Sequence, residues 1–221
     1  MDEITRQTAA EDEYRDHLER SATVWDRWSD WYTLSEQDFE PLRLELIDAL
    51  EIQEGDRILE IGCGPGVNFA PLRNAVGPEG QVIAIDYSAE MVAKARARID
   101  DHDWENVNVV RADATTAALG GPYDGAIATL SLSVMPDIPR TVGNIYDSLS
   151  AGSPLGVIDL RLVPDGPARV FNPAIARFLR WYANWHGDDD VLKAIDSVFG
   201  SSTILTTELL GIVYAATAIR D

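Results

Sequence analysis

The sequence has few of the residues that build disulfides and metal centres. It contains one cysteine, Cys63, so no disulfide can form within the chain and a cysteine-rich zinc site is excluded. Its three histidines, His17, His102 and His186, are too scattered to give a metal-ligand spacing. The sequence therefore predicts neither an internal disulfide nor a bound metal.

Long apolar runs are also lacking. No stretch approaches the roughly 18 consecutive apolar residues that indicate a membrane-spanning helix. The first residues, Met1-Asp2-Glu3, are acidic and are not followed by an apolar run, unlike a signal peptide. We therefore predict a soluble, cytoplasmic protein without an integral membrane segment.

Positive charge is scarce as well. Lysine and arginine together number 18 against 37 acidic residues, which gives a net charge of −19, and only two of the cations are lysines. Binding to nucleic acid or to anionic membranes needs clustered cations, so we expect neither as a partner. A surface rich in aspartate and nearly free of lysine is typical of proteins from salt-loving organisms, and its self-repulsion is expected to matter most at low salt.

The overall composition is that of a folded α/β domain. The 221 residues are 46% hydrophobic, which fits one core. Short β-rich runs alternate with helical stretches, a pattern that predicts a parallel sheet with helices on its faces. The predicted strands are Arg57–Ile61, Gln81–Asp86, Asn108–Arg111, Tyr123–Thr129 and Ser153–Leu160, followed by an antiparallel hairpin of Ser202–Thr207 and Leu209–Ile219. We divide the single domain into an N-terminal helical lid (1–50), a ligand-binding core (51–160), a helical insertion on the substrate side (161–200) and the C-terminal hairpin (201–221).

A glycine-rich turn follows the first predicted strand. Gly62, Gly64 and Gly66 allow a tight turn that lets the backbone come close to a ligand at a helix N-terminus. Asp86 ends the second strand about 20 residues after Gly66, the spacing at which a carboxylate can bind both hydroxyls of a ribose. Together these features indicate a ligand that carries a nucleoside.

Two ligands that carry a nucleoside are consistent with this pattern: a nicotinamide dinucleotide and S-adenosylmethionine. The dinucleotide fingerprint is G-x-G-x-x-G, whereas this loop is G-x-G-x-G and is followed by Val67 and Asn68. Glu60, two residues before the first glycine, would repel a pyrophosphate and attract a cationic amino group. S-adenosylmethionine carries an amino group and a sulfonium, so the charge favours it.

Residues from about Asp56 to Leu160 resemble the core of the class I S-adenosylmethionine-dependent methyltransferases. The run Leu59–Gly66 resembles the first motif of that family, Val82–Asp86 its second strand with the ribose-binding acid, and Arg111–Ala114 its third-strand motif. The resemblance implies a Rossmann-like, doubly wound sheet of seven strands with an antiparallel C-terminal hairpin, S-adenosyl-L-methionine as cofactor and S-adenosyl-L-homocysteine as product. It also implies the cofactor-binding residues: Glu60, Gly62, Thr129, Leu130 and Ser131 at the methionine end, Cys63, Gly64 and Gly66 along the loop, Asp86 at the ribose, and Tyr87, Met91, Asp113 and Ala114 at the adenine.

Five of the six tryptophans lie outside the core motifs, in the two extra segments. Trp25, Trp28 and Tyr32 form one aromatic helical face, and Phe178, Trp181 and Trp185 repeat the same spacing in a second; the pocket is assigned to Trp28, Tyr32, Trp181 and Trp185. We expect the two faces to meet as a lid and to form an apolar pocket for a small-molecule substrate. The alternative is that both faces only pack their helices on the sheet.

The stretch Val24–Tyr32 is similar to the entry helix of small-molecule methyltransferases, among them quinone-biosynthesis C-methyltransferases and phospholipid N-methyltransferases. In such enzymes a tyrosine of this helix often closes over the cofactor, which makes Tyr32 the implied lid residue. Thr115–Ala118 lacks the Leu-Pro-Phe run that is common in the quinone group, so the subfamily stays open.

No residue stands out as a general base. His17, His186 and Asp159 qualify by residue type alone, and methyl transfer from a sulfonium depends largely on positioning and desolvation. We predict methyl transfer to a small hydrophobic or aromatic acceptor, and we leave the oligomeric state open, with a homodimer as one option. Two alternatives remain: a catalytically silent S-adenosylmethionine-binding regulatory or partner subunit, and a nicotinamide-dependent oxidoreductase.

Overall fold

A computed structural model of the chain describes residues 3–32, 39–185 and 190–221, and the side chains of 11–27, 39–185 and 190–221. The strands within these residues are β1 Arg57–Ile61, β2 Gln81–Asp86, β3 Val107–Arg111, β4 Gly125–Thr129, β5 Pro154–Leu160, β6 Thr203–Glu208 and β7 Val213–Ile219. The α-helices are α1 Glu3–Tyr32, α2 Glu40–Ala49, α3 Phe69–Val76, α4 Ala89–Asp101, α5 Ile138–Ser148, α6 Asn172–Ala183 and α7 Val191–Phe199.

The strands form a seven-stranded sheet, in the order β3-β2-β1-β4-β5-β7-β6 across the described residues. The first five strands are parallel, and β7 is antiparallel to both β5 and β6. This order confirms the predicted Rossmann-like, doubly wound sheet with an antiparallel C-terminal hairpin. The strand order reverses between β1 and β4, and open α/β sheets bind ligands beyond the carboxyl ends of the strands at such a switch point.

The hairpin turn is longer than the sequence pattern predicts. The last strand begins at Val213 rather than at Leu209, because Leu209 and Leu210 have positive φ angles of 48° and 61° and lie in a short 3-10 turn. A left-handed backbone cannot continue a strand, even where the side chains are strand-like. Four residues of the predicted strand therefore belong to the connection.

Both faces of the sheet are covered by helices, which explains why the central strands are mostly apolar on both sides. Successive residues of β1 alternate between two cores: Ile58 packs in the one that includes residues of α2, α3 and α4, and Leu59 in the one that includes residues of α5 and α7. By the same alternation, Glu60 points to the side of Ile58. A carboxylate is therefore placed beneath α3, in a layer that is otherwise apolar.

Side-chain caps define where three helices begin. Ser88 accepts a hydrogen bond from the backbone N–H of Met91 at the start of α4. Asp137 and Asp190 cap α5 and α7 in the same way. Such caps satisfy backbone donors that a helix N-terminus otherwise leaves unpaired.

The two helices of segment 1–50 have different positions. Helix α1 contacts α4 and α6 and borders the cleft described below, whereas α2 packs on the sheet against β5 and β7. Leu46 of α2 is fully buried, and a Cβ on Gly156 of β5 would lie 3.1 Å from its Cδ1 atom. The expectation of a lid over the whole of 1–50 is therefore wrong for α2, which belongs to the core.

The two α-helices of the insertion, residues 161–200, also lie in different places. Helix α7 packs along α5 and contributes Ile195 and Phe199 to the core, so it does not cover the carboxyl ends of the strands. Helix α6 reaches α1 instead. In the described part of the chain, none of the helices combines the length and the apolar character that crossing a bilayer requires.

If α2 is part of the core, replacing Leu46 by alanine should lower the free energy of unfolding by about 2–5 kcal/mol, because it leaves a cavity against the sheet. Leu44 on the same helix is 47% exposed, so Leu44→Ala is the matched control and should change it by no more than about 0.5 kcal/mol. Urea denaturation measures both. Equal effects of the two substitutions would contradict the placement of α2.

Candidate functional site

A cleft of about 730 Å³, partly open to solvent, lies at the carboxyl ends of the central strands. Its floor comes from the loops after β1, β2, β3 and β4, and its roof comes from α1. The lining residues are Leu18, Ser21, Ala22, Trp25, Gly62, Gly64, Ile85, Asp86, Tyr87, Ser88, Met91, Ala112, Asp113, Ala114, Thr129, Leu130, Ser131, Val134, Met135 and Pro136.

The loop after β1 needs its first glycine for two reasons. Gly62 has a φ of 64°, a conformation that L side chains rarely adopt, and a Cβ there would collide with the Cβ of Ser131 after β4. Its N–H donates to the carbonyl of Ile85 at 2.7 Å. The loops after β1, β2 and β4 therefore meet at one bare stretch of backbone that faces the cleft.

Asp86 joins the glycine loop to the start of α4. Its Oδ2 accepts from the N–H of Gly64 at 2.8 Å, and its Oδ1 accepts from the N–H of Ser88 at 2.8 Å. Burial raises the pKa of this carboxyl above its ordinary value, while the backbone donors act in the opposite direction. The carboxylate is thereby held at the cleft wall with acceptor capacity left for a ligand's hydroxyls.

Asp113, just after β3, is held in a similar way. Its Oδ1 accepts from the N–H of Thr115 at 2.9 Å, and its Oδ2 accepts from the hydroxyls of Thr116 at 2.7 Å and of Tyr14 on α1. Burial and the bond to Asp113 raise the pKa of Tyr14 to about 12. Helix α1 is thus fastened to an acidic side chain of the cleft.

Glu60 lies under the glycine loop and is fully buried. Its Oε1 accepts from the amide of Asn68 at 2.8 Å, and the same amide nitrogen donates to Thr129 Oγ1 at 3.0 Å. Oε2 has no hydrogen-bond partner among the described residues, and burial raises the pKa of the carboxyl to about 8. A buried acidic group with an unused acceptor oxygen suits a cationic ligand group above it.

The wall on α1 includes Trp25 of the predicted aromatic face and three residues that the sequence analysis did not assign, Leu18, Ser21 and Ala22. Asp26, one position after Trp25, hydrogen-bonds to the hydroxyl of Ser88. The face predicted from Trp25, Trp28 and Tyr32 continues toward the N-terminus at steps of three and four through Ser21, Leu18 and Tyr14, so the spacing could have identified them. Because Leu18 and Ser21 are not aromatic, the aromatic pattern alone did not include them.

Most of the predicted cofactor residues border the cleft: Gly62, Gly64, Asp86, Tyr87, Met91, Asp113, Ala114, Thr129, Leu130 and Ser131. Glu60, Cys63 and Gly66 do not. Cys63 is buried in the apolar core, where burial raises the pKa of its thiol, and Gly66 has a φ of 80° and packs where a Cβ would collide with the Phe69 ring. The structure thus gives Cys63 and Gly66 a packing role in place of a direct one.

The predicted aromatic pocket is wrong in its second half. Trp181 is 69% exposed on the outer side of α6, beside an exposed Phe178. Trp185 is buried, but in a separate apolar cluster with Ala176 and Leu179, away from the cleft lining. Aromatic residues at helical spacing share one face of a helix, but the spacing does not show whether that face is buried or exposed. In α6 the face that carries Ala176 and Leu179 is buried, and the face that carries Trp181 is exposed. The side chains of Trp28 and Tyr32, the other half of the prediction, lie outside the described residues.

Neither described candidate for a general base borders the cleft. His17 Nε2 lies 2.9 Å from the carbonyl oxygen of Val134, so this nitrogen carries the hydrogen and donates it. Asp159 is fully buried, accepts from the backbone N–H groups of Ser133 and Leu160, and has its pKa raised by burial to about 6. The third candidate, His186, lies outside the described residues.

Comparison with known proteins gives the cleft a context. Residues 58–152 match a protein family described as a methyltransferase domain. A protein-L-isoaspartate O-methyltransferase from Methanococcus aeolicus is 37% identical over 98 residues, or 44% of this chain and 44% of that protein. The aklanonic acid methyltransferase DauC from Streptomyces sp. strain C5 is 28% identical over 136 residues, or 61% of this chain and 59% of that protein. The chain thus matches about half the length of these curated relatives.

The fold likeness extends further along the chain than the family match. A solved structure from Thermotoga maritima, described as an S-adenosylmethionine-dependent methyltransferase and possible histamine N-methyltransferase, superposes with a TM-score of 0.68 at 16% identity. The superposition covers 91% of this chain and 100% of that one. At this level of identity the likeness shows a shared fold.

The raised pKa of Glu60 predicts how stability depends on pH. A carboxyl that titrates near pH 8 when folded, against 4.5 otherwise, contributes stability that is present below pH 4.5 and is lost as the pH rises through 8. Glu60→Gln keeps the acceptor for Asn68 and removes the titration. Between pH 5 and 8 the wild type should therefore lose up to a few kcal/mol of unfolding free energy relative to this variant, at about 1.4 kcal/mol per pKa unit. Denaturant titrations at several pH values measure the difference, and parallel profiles would contradict it.

The bond between Tyr14 and Asp113 predicts that α1 is tied down locally. Tyr14→Phe removes the donor and keeps the ring, so backbone amides of residues 11–27 should exchange with deuterium roughly three- to ten-fold faster. Exchange in α2, which packs on the sheet against β5 and β7, serves as the internal control and should not change. Unaltered exchange in α1 would show that the bond does not hold this helix.

Proposed function

We propose that the chain transfers a methyl group from S-adenosylmethionine to a small hydrophobic acceptor, since residues 58–152 match a methyltransferase-domain family and the chain shares its fold with a solved structure described as an S-adenosylmethionine-dependent methyltransferase. The observation that carries the proposal is the convergence of three acidic side chains on one cleft. Asp113 after β3 and Asp86 at the end of β2 line it, and the buried Glu60 lies under the glycine loop after the neighbouring strand β1. Each has a position suited to a different part of the cofactor.

The residues fit the cofactor in chemistry and in order. Asp86 would accept from the two ribose hydroxyls, and Asp113 from the adenine amino group. Glu60, whose Oε2 has no partner among the described residues, would place its carboxyl behind the bare backbone of Gly62, where a methionine ammonium group would favour the ionised form of this acid. Ala114 leaves space beside Asp113, since a larger side chain at this buried position would enter the cleft.

When bound, the cofactor supplies an electrophilic methyl group on a sulfonium. The chain itself supplies position and a dry surrounding. Leu18, Ala22 and Trp25 on α1 and Met135 after β4 put apolar surface on the walls. Excluding water beside a cation and fixing two reactants in line are the contributions that such a displacement needs.

The shape of the cleft favours a small acceptor. Its roof is a helix that is hydrogen-bonded to the floor at both Asp113 and Ser88, which leaves space for a compact molecule. The name of the Streptomyces relative specifies a small acid, and that of the Methanococcus relative a protein residue. The latter similarity covers less than half of this chain, so we give it less weight for the acceptor.

The remaining sequence-based expectations stay predictions. They are a cytoplasmic location, adaptation to high salt, the lack of a nucleic-acid partner, the closing role of Tyr32 and a homodimer as one option for assembly.

Calorimetric titration with S-adenosylmethionine, S-adenosylhomocysteine and NAD in molar KCl tests the proposal. We expect both sulfur compounds to bind and NAD not to bind. Binding of NAD alone would favour an oxidoreductase. Tight binding of S-adenosylmethionine without release of S-adenosylhomocysteine, on any acceptor of a hydrophobic panel, would favour a silent regulatory subunit.

Asp86 gives the sharpest single-residue test. Asp86→Ala removes the acceptor for both ribose hydroxyls and releases the N–H of Gly64, so the Kd for S-adenosylmethionine should rise by roughly 100-fold or more. Asp124→Ala is a matched control, because Asp124 also accepts from a backbone N–H of the sheet, that of Arg57, but at the opposite end of β1. Its Kd should stay within about two-fold of the wild type. A similar loss in both variants would show that Asp86 acts through stability alone.

A further inference from the structure

One wall of the cleft combines an apolar surface with a single hydroxyl. The wall is formed by α1 and by the segment after β4, and its described members are Leu18, Ser21, Ala22, Trp25, Val134, Met135 and Pro136. Among them Ser21 supplies the one hydroxyl group. None of these seven residues is among those that we assign to the cofactor, so we assign this wall to the acceptor.

The oxygen of Ser21 is held by a hydrogen bond from Asn184, the residue that ends α6. The side-chain amide of Asn184 donates to Ser21 Oγ at 2.7 Å and to the backbone carbonyl of His17 at 3.3 Å. Asn184 ends α6 in the left-handed conformation, with a φ of 53° and a ψ of 35°, which asparagine tolerates better than most residues. The insertion helix therefore reaches the cleft through this amide and not through its tryptophans.

The proton of Ser21 is held only weakly. The two acceptors in its reach are the carbonyl oxygen of Val134 at 3.4 Å and His17 Nε2 at 3.5 Å. Both distances exceed the range of about 2.5–3.0 Å typical of hydroxyl hydrogen bonds. His17 Nε2 also donates its own hydrogen to Val134, so it is a poor acceptor. The oxygen of Ser21 is therefore held by a short hydrogen bond, whereas its hydrogen has only long contacts and can be donated to a ligand.

The geometry points to Ser21 as a residue that positions the acceptor, by donating a hydrogen bond to an oxygen of an otherwise apolar substrate. The substrate class is a compact apolar molecule with at least one accepting oxygen, such as a carbonyl. This inference rests on the proposed function, because it assigns the other residues of the cleft lining to the cofactor. Ser21 acts on orientation and takes no part in bond making.

A matched ligand pair tests the assignment. Indane and 1-indanone have the same ring frame and differ by one carbonyl oxygen. With the protein saturated with S-adenosylhomocysteine, NMR titration gives the Kd of each compound for the wild type and for Ser21→Ala. The preference for 1-indanone should fall roughly five-fold in the variant, since a ligand and a side-chain group that interact are coupled in such a cycle.

Two further variants keep the result interpretable. Thr23→Ala removes a hydroxyl from the same helix on its exposed side, where Thr23 bonds to Glu19, and should keep the wild-type preference. Asn184→Gly suits the left-handed backbone, leaves Ser21 in place and removes the amide that holds it, so the preference should fall about two-fold. This second variant gives an answer even if Ser21→Ala disturbs the packing of α1.

The outcomes separate this inference from the proposed function. Failure of the wild type to bind S-adenosylhomocysteine would overturn both. Normal binding of S-adenosylhomocysteine with an equal preference in the wild type and Ser21→Ala would overturn the role of Ser21 alone. The same holds if the wild type binds neither ring compound, because the assigned wall should accept both.

Discussion

The carboxylate of Asp86 is the contact on which the geometry of the cleft depends. It accepts one N–H from the glycine loop after β1 and one from the cap of α4, and so fixes two chain segments that belong to different strands. Parallel strands bring these segments to the same edge of the sheet but do not set their distance. A single buried acid with two backbone donors does, and it still offers acceptor capacity to a ligand.

Three acidic side chains at or near the carboxyl ends of the strands lie in surroundings that disfavour their charged form. Burial raises the pKa of Glu60, Asp86 and Asp159, and Glu60 retains an oxygen without a partner among the described residues. Ionising such groups does not stabilise the protein without a ligand, because their partners do not fully offset the desolvation cost of the charged form. Their arrangement is understandable if the cleft is completed by a ligand with donors and a positive charge. The net charge of −19 is a separate matter, since most acidic residues lie on the surface.

The roof of the cleft shows how far helical periodicity can be used. Helix α1 presents Leu18, Ser21 and Trp25 to the cleft, as its spacing allows, but α6 directs Phe178 and Trp181 outward and buries its small residues. Both helices carry an aromatic stripe in the sequence. The side that becomes buried depends on the neighbour: α6 rests its alanine and leucine side on the segment after β5, and its link to the cleft is the polar end at Asn184.

The strands of the sheet, the glycine loop, Asp86 and Asp113 were predictable from the sequence, because alternating apolar runs and strand-end residues act over a few positions. Contacts between residues far apart in the chain were not. The bonds of Tyr14 to Asp113 and of Asn184 to Ser21 join segments separated by 99 and 163 positions, and no local pattern records them. The sequence by itself thus determined the sheet and the acids at its edge, whereas only the tertiary structure decided which helix covers them and which hydroxyl faces the space that remains. The reason is that helix orientation depends on packing between distant segments.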